Sequence, residues 1–283
     1  VVGVKTSAAQ RAGFRFGAVV VSVLAGAGLA GTTVAVRQLS PERAGSVHSG
    51  AATGGTAPSS ADPGFDTSFS AKLSSTDIPE EGGGVRTGGC SGALIAGGWI
   101  ITAGHCFHDT RDNRVDGRPE YHMKVALGKR ADSDPHGHVT QVVDVRQSPY
   151  SDLALARLEN PVTDITPLSL PGEAPTVGQR ATFVGWGALS SKVIVQSDHL
   201  KRGDFAVHSV GQYEIDLAPV HERTVENSPC PDDSGSPYFV PGERGHKVLI
   251  AIEDRGPDCP NPGLETAARV DSIRSWIQQQ LDS

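Results

Sequence analysis

The chain of 283 residues has no cluster of lysine and arginine, and its net charge is −7. Displacing counterions from nucleic acid takes clustered cations, so a nucleic-acid partner is excluded. None of the four cysteines, Cys90, Cys106, Cys230 and Cys259, stands in a C-x-x-C pair, which removes the usual thiolate zinc site. Their even number instead fits two disulfides formed in an oxidising compartment. Aromatic residues are few, Met123 is the single methionine, and no internal repeat of fixed short period runs through the chain. His122, His136 and His138 lack paired metal-ligand spacing and read as surface groups.

The amino-terminal part is uneven in charge. Lys5, Arg11 and Arg15 precede an uncharged run from Phe16 to Val36, and Arg37 closes it. A basic segment before an apolar run is an export signal. The run is also long enough to span a bilayer, but its Gly, Ala and Thr content favours a cleaved signal over a retained anchor. Either reading puts the rest of the chain outside the membrane. Residues 1–36 are therefore expected to be a signal peptide or membrane anchor, with 16–36 as the anchoring stretch. Residues 37–64 are rich in Ser, Gly, Ala, Thr and Pro, the composition of a linker. A pro-segment or linker is expected over 37–51 and a folded domain over 52–283.

From Phe65 onward short β-branched runs recur between Gly, Pro and Asp turns: Trp99–Thr102, Val139–Val145, Leu153–Leu158, Ala181–Val184 and Lys247–Ile252. Val139, Gln141, Val143 and Val145 share one face by period-two alternation, and Thr140, Val142, Asp144 and Arg146 the other. Many short strands with frequent turns predict an all-β antiparallel barrel or sandwich. Ile273, Trp276, Ile277 and Leu281 follow helical spacing, and Asp271 or Ser272 is placed to cap a terminal helix.

Three segments carry chemistry. Trp99–Cys106 (WIITAGHC) runs an apolar strand into a His beside a Cys. Ser151–Leu158 (SDLALARL) sets an Asp at the mouth of a buried strand. Cys230–Pro237 (CPDDSGSP) holds a Ser in a tight loop. A Ser hydroxyl needs a base within hydrogen-bond reach, and the base needs an orienting partner. His is suited because its proton affinity lies near working pH. A buried Asp fixes its tautomer and stabilises the imidazolium.

The three blocks, in this order, resemble the T-A-[AG]-H-C, D-[IL]-A-L and G-D-S-G-[GS]-P blocks of the trypsin/chymotrypsin (S1) serine peptidases, read as a secreted bacterial type. Gly185-Trp186-Gly187 and Arg269–Ile277 are similar to further parts of that family, so the resemblance covers roughly residues 52–283. It implies two antiparallel six-stranded β-barrels, near 52–160 and 161–283, with a C-terminal helix. It implies His105 as general base, Asp152 as its orienter and Ser234 as nucleophile. The oxyanion donors would be the N–H groups of Asp232 and Ser234. The implied disulfides are Cys90–Cys106 and Cys230–Cys259. Asp233 would receive a new α-amino group after pro-segment removal, at a start before Ala52, where Ala52–Thr56 (ATGGT) is similar to an activation site. The family pattern mostly has Gly where Asp232 stands.

Ser228 would lie at the floor of the specificity pocket and Gly263 at its back wall. Glu253, Asp254 and Asp258 fall on the other wall, where solvent exposure is the simpler reading of each acid. Asp109, Asp112, Asn113 and Asp116 share one polar loop, but the spacing is not that of an EF-hand and a solvated loop is preferred. The reaction expected is peptide hydrolysis through an acyl-enzyme, with a protein or peptide substrate and no metal or organic cofactor. The competing reading is a homologue with little or no turnover, acting as a secreted binding module. An esterase or lipase is disfavoured, because neither the G-x-S-x-G elbow nor the Ser-before-His order is present.

Overall fold

A computed structural model describes residues 65–111 and 113–283. The expected segments 1–36 and 37–51, and the start at Ala52, lie outside the described residues. The short alternating runs form strands. β1 (Ser70–Pro79), β2 (Val85–Ala96), β3 (Trp99–Thr102), β4 (Lys124–Leu127), β5 (His138–Gln147) and β6 (Ala154–Leu158) close an antiparallel barrel in the order β1-β2-β3-β6-β5-β4. β7 (Arg180–Gly185), β8 (Lys201–Val210), β9 (Glu214–Pro219), β10 (Pro237–Pro241), β11 (Lys247–Arg255) and β12 (Glu265–Arg269) close a second, in the order β10-β11-β12-β9-β8-β7. Closure leaves neither sheet an open edge.

One core fills barrel 1 and continues into the junction through Val184, Phe239, Leu249, Ile252 and Ala268. A smaller core fills barrel 2, where Phe183, Phe205 and Tyr238 meet with ring centroids 5.4 to 6.1 Å apart. The predicted face of β5 holds only in part. Val139 is 60% exposed, whereas Thr140, Val142 and Val145 are buried. A bulge between Val142 and Asp144, opposite Leu158 and Arg157 of β6, moves the inward face by one residue, which strict alternation cannot show.

The terminal helix α1 (Arg274–Leu281) follows a 3-10 turn at Asp271–Ile273. Ile273 and Ile277 bury its apolar stripe in the larger core. Neither proposed cap acts as one. The Asp271 carboxylate accepts from the Arg269 guanidinium, at 3.1 Å from Nε, and the Ser272 hydroxyl bonds the Arg269 carbonyl. Among the described residues no helix is long and apolar enough to cross a membrane.

Candidate active site

β3 and β6 pair so that Thr102 lies opposite Ala154. His105, three residues beyond Thr102, and Asp152, two residues before Ala154, therefore leave the same end of one strand pair. A 3-10 turn at Gly104–Cys106 presents the imidazole. Gly104 packs closely here: a β-carbon would fall 2.6 Å from Asp152 Oδ1 and Gln147 Oε1, and those side-chain ends would have to shift. The Gln147 amide donates to the Gly104 carbonyl at 2.9 Å, and the Cys90–Cys106 disulfide ties the turn to β2.

Asp152 holds His105 at two points. Its Oδ2 lies 2.5 Å from Nδ1, and its Oδ1 accepts the His105 backbone N–H at 2.9 Å. Arg114 lies 3.4 Å from the same carboxylate. Burial pushes the imidazole down, but the hydrogen bond and charge of Asp152 outweigh it and raise His105 above its ordinary value. Burial likewise pushes Asp152 up, and its bond and charge interaction with His105 bring it down to about 2. His105 therefore faces an anion that favours its protonated form.

The serine loop crosses from barrel 2 to this end of barrel 1. Ser91 N–H donates to the Ser234 carbonyl at 2.9 Å, and the Ser91 hydroxyl to the Asp232 carbonyl at 3.2 Å. Gly235 has φ +87°, and a β-carbon there would fall 2.1 Å from Thr102 Oγ1 and 2.2 Å from the Ser91 carbonyl. Only glycine fits both the angle and the approach, so this residue lets the loop close beside the His105 turn. The Cys230–Cys259 disulfide anchors the loop to the segment after β11. Asp232 adopts φ +72°, a left-handed conformation that a side chain resists. Burial, then the charge of Asp233, pushes the Asp232 carboxyl up to about 6.

Asp233 is fully buried. Its Oδ1 accepts from Gly187 N–H at 2.7 Å and its Oδ2 from Cys230 N–H at 2.9 Å. Its charge partner is Lys201, in a buried ion pair. The expected partner, a new terminus at Ala52, lies outside the described residues, and a β8 side chain stands at the carboxylate instead.

A cavity of about 170 Å³ opens beside Ser234, lined among others by Glu253, Asp254, Asp258 and Glu265. Neither Ser228 nor Gly263 lines it. Ser228 is buried under Arg223, whose Nε donates to its hydroxyl at 2.9 Å, and Arg223 forms a buried ion pair with Glu265. Glu253 is buried and accepts from the Tyr238 hydroxyl at 2.6 Å, so it does not face solvent. Asp258 does.

Asp254 stands within hydrogen-bond reach of Asp152. Burial, then that bond and charge, pushes it up to about 6. Sequence reasoning placed Asp254 on a wall and missed this contact with the His–Asp pair. His105, Asp152 and Asp254 each bring one potential ligand atom within 4.8 Å of the others. The 2.5 Å separation between His105 and Asp152 is a direct hydrogen bond, with no space for an ion between those atoms. In the polar loop, Asp109 accepts from Arg111 N–H and Asn113 N–H, and Asp116 from Gln147 N–H. These oxygens cap backbone, and Asp112 lies outside the described residues.

Comparison with known proteins agrees with this geometry. The chain is 28% identical over 221 residues to the renal glandular kallikrein of Mastomys natalensis, covering 68% of this chain and 80% of that protein. It is 27% identical to kallikrein-1 of Mus musculus, covering 68% of this chain and 80% of the relative. With serine protease 56 of Mus musculus it shares 26% identity over 69% of this chain but only 35% of the relative, so it spans about a third of that protein. These relatives are animal proteins and lend no support to a bacterial type. The trypsin family model matches residues 69–277, across both barrels and all three chemical blocks, and the chain belongs to the trypsin family.

Proposed function

We propose that the protein is an exported serine endopeptidase that cleaves protein or peptide substrates through an acyl-enzyme on Ser234. His105 takes the Ser234 proton as the hydroxyl attacks the scissile carbonyl, then delivers it to the leaving amine. Asp152 keeps the His105 tautomer and stabilises the imidazolium. The N–H groups of Asp232 and Ser234 receive the oxyanion. A water, activated by His105, then releases the acyl group and regenerates the serine.

The observation that carries this reading is the two-point hold of Asp152 on His105, at the end of barrel 1 where the Ser234 loop docks. Two further features support it. Neither proposed oxyanion N–H donates to an acceptor among the described residues, and Ser234 lines an open cavity. Two disulfides and membership of the trypsin family support action outside the cell, with 16–36 as the export or anchoring stretch.

A fluorophosphonate is expected to label Ser234 stoichiometrically and to block peptide hydrolysis. Ser234→Ala is expected to lower kcat by roughly 10⁶-fold. Hydrolysis that persists in Ser234→Ala, or protein that never labels, refutes the proposal.

A further inference from the structure

We infer that Lys201 is a positioning residue that holds the Ser234 loop in its active arrangement, so that the chain needs no amino-terminal cleavage to become active. The inference rests on the peptidase reading above. Asp233 lies between Asp232 and Ser234, the two residues whose N–H groups would receive the oxyanion. Where its carboxylate is held therefore decides where those two peptide groups point. A buried carboxylate is costly without a cation, so the loop keeps this shape only while a cation is in place.

Lys201 supplies that cation from within the folded domain. Its ammonium pairs with Asp233 Oδ2, and neither side chain has exposed surface. An ammonium has three donors. The other two find the Ser228 carbonyl at 3.0 Å and the Ala188 carbonyl at 3.3 Å, so the group is saturated.

The carboxylate is equally enclosed. Besides Lys201 it accepts from Gly187 and Cys230 N–H. A β-carbon on Gly185 would fall 2.1 Å from its Oδ1, and one on Gly187 2.2 Å from its Oδ2. A second ammonium would have to displace the first. Lys201 itself is fixed in register on β8, opposite Gly185 of β7. Its position follows from barrel closure, not from where the chain begins. A terminal amine at Ala52 would thus arrive at a site already filled.

The test compares the intact full chain with the same chain cut before Ala52, each verified by mass before and after reaction with a fluorophosphonate. Labelling rates at Ser234 are expected to agree within about twofold. Lys201→Met is expected to label about 100-fold more slowly in both forms, the size of losing one oxyanion donor. Lys201→Arg, which keeps the charge, is expected to recover most of that loss. The comparison of wild-type forms needs no variant to fold. Labelling of the cut chain alone overturns the inference and leaves the peptidase reading standing. Labelling of neither form overturns the peptidase reading and the inference with it.

Discussion

The two barrels bury different kinds of polar group. The buried polar residues of the barrel 1 half are all hydroxyls: Thr67, Ser70, Ser75, Ser91, Thr102, Thr140 and Ser148. The barrel 2 half buries hydroxyls too, at Ser197, Ser228 and Ser236, but adds Lys201, Asp233, Glu253 and Glu265, together with the Arg223 side chain. A buried hydroxyl bonded to backbone costs little. A buried ion costs several kcal/mol, which its partner at best offsets. These charges lie under the Ser234 loop and the cavity beside it, whereas the His105–Asp152 pair stands on an uncharged core. The difference teaches that barrel 2 holds charge for placement of its loops, because apolar packing would stabilise it as well.

Breaking a pair should therefore cost far more in barrel 2 than losing a hydroxyl does in barrel 1. Arg223→Met strands the Glu265 carboxylate, and we expect a loss of about 3–5 kcal/mol at pH 8. Adding Glu265→Leu should recover most of it. Thr102→Val in barrel 1 removes the 2.7 Å bond to the Ser91 carbonyl and should cost about 1 kcal/mol. Urea denaturation of the three proteins decides. Equal losses for Arg223→Met and Thr102→Val would erase the contrast.

Two of the carboxylates, Glu265 and Asp152, should also respond to pH with opposite sign. Burial, partly offset by Arg223, raises Glu265 from 4.5 to about 7. Between those values the folded state holds the proton more tightly than the unfolded chain, so stability falls as pH rises through that window. The loss is at most about 3 kcal/mol. Asp152, lowered from 3.8 to about 2, contributes stability that is present above pH 3.8 and lost as pH falls toward 2. Melting temperature measured from pH 4 to pH 8 should decline across the upper range, and Glu265→Gln should flatten that decline. An unchanged slope in Glu265→Gln would place the cause elsewhere.

The sequence made the barrel architecture and the three chemical blocks legible for a physical reason. β3 and β7 are short, carry β-branched residues and are bounded by turns, and β6 is a short apolar run, so local pattern and tertiary environment agree. The β5 face was not legible, because a one-residue bulge leaves no mark in composition. Asp254 escaped because its contact with Asp152 joins two strand ends from different barrels. Lys201 did leave a signal. On β8 it alternates with Gly203, Phe205 and Val207, all buried. A lysine in phase with buried residues requires a buried anion. Arg223, five residues before Ser228, bonds its hydroxyl, a contact that local pattern does not mark.

A smaller effect probes the junction of the two halves. Asp254, on barrel 2, adds negative charge that helps raise His105 on barrel 1. Asp254→Asn removes it, so the imidazolium loses support and the free base survives to lower pH. The acid limb of kcat/KM should shift downward by about half a unit. No shift would mean that the two barrels' acids act independently.

The smallest expected change concerns Asp232. Its φ of +72° carries a β-carbon in a region that costs roughly 1–2 kcal/mol for most side chains, and less for Asp. Its carboxyl, raised to about 6 by burial and then by Asp233, becomes an anion as pH rises past that value. The charge then stands beside the N–H group proposed to receive an oxyanion. Asp232→Gly removes both burdens. We expect kcat on a small ester to rise a few-fold, at most about tenfold, with a larger gain at pH 8 than at pH 5. A gain equal at both pH values would assign the effect to backbone strain alone. Lower activity in the variant would mean that the Asp232 side chain helps hold the loop.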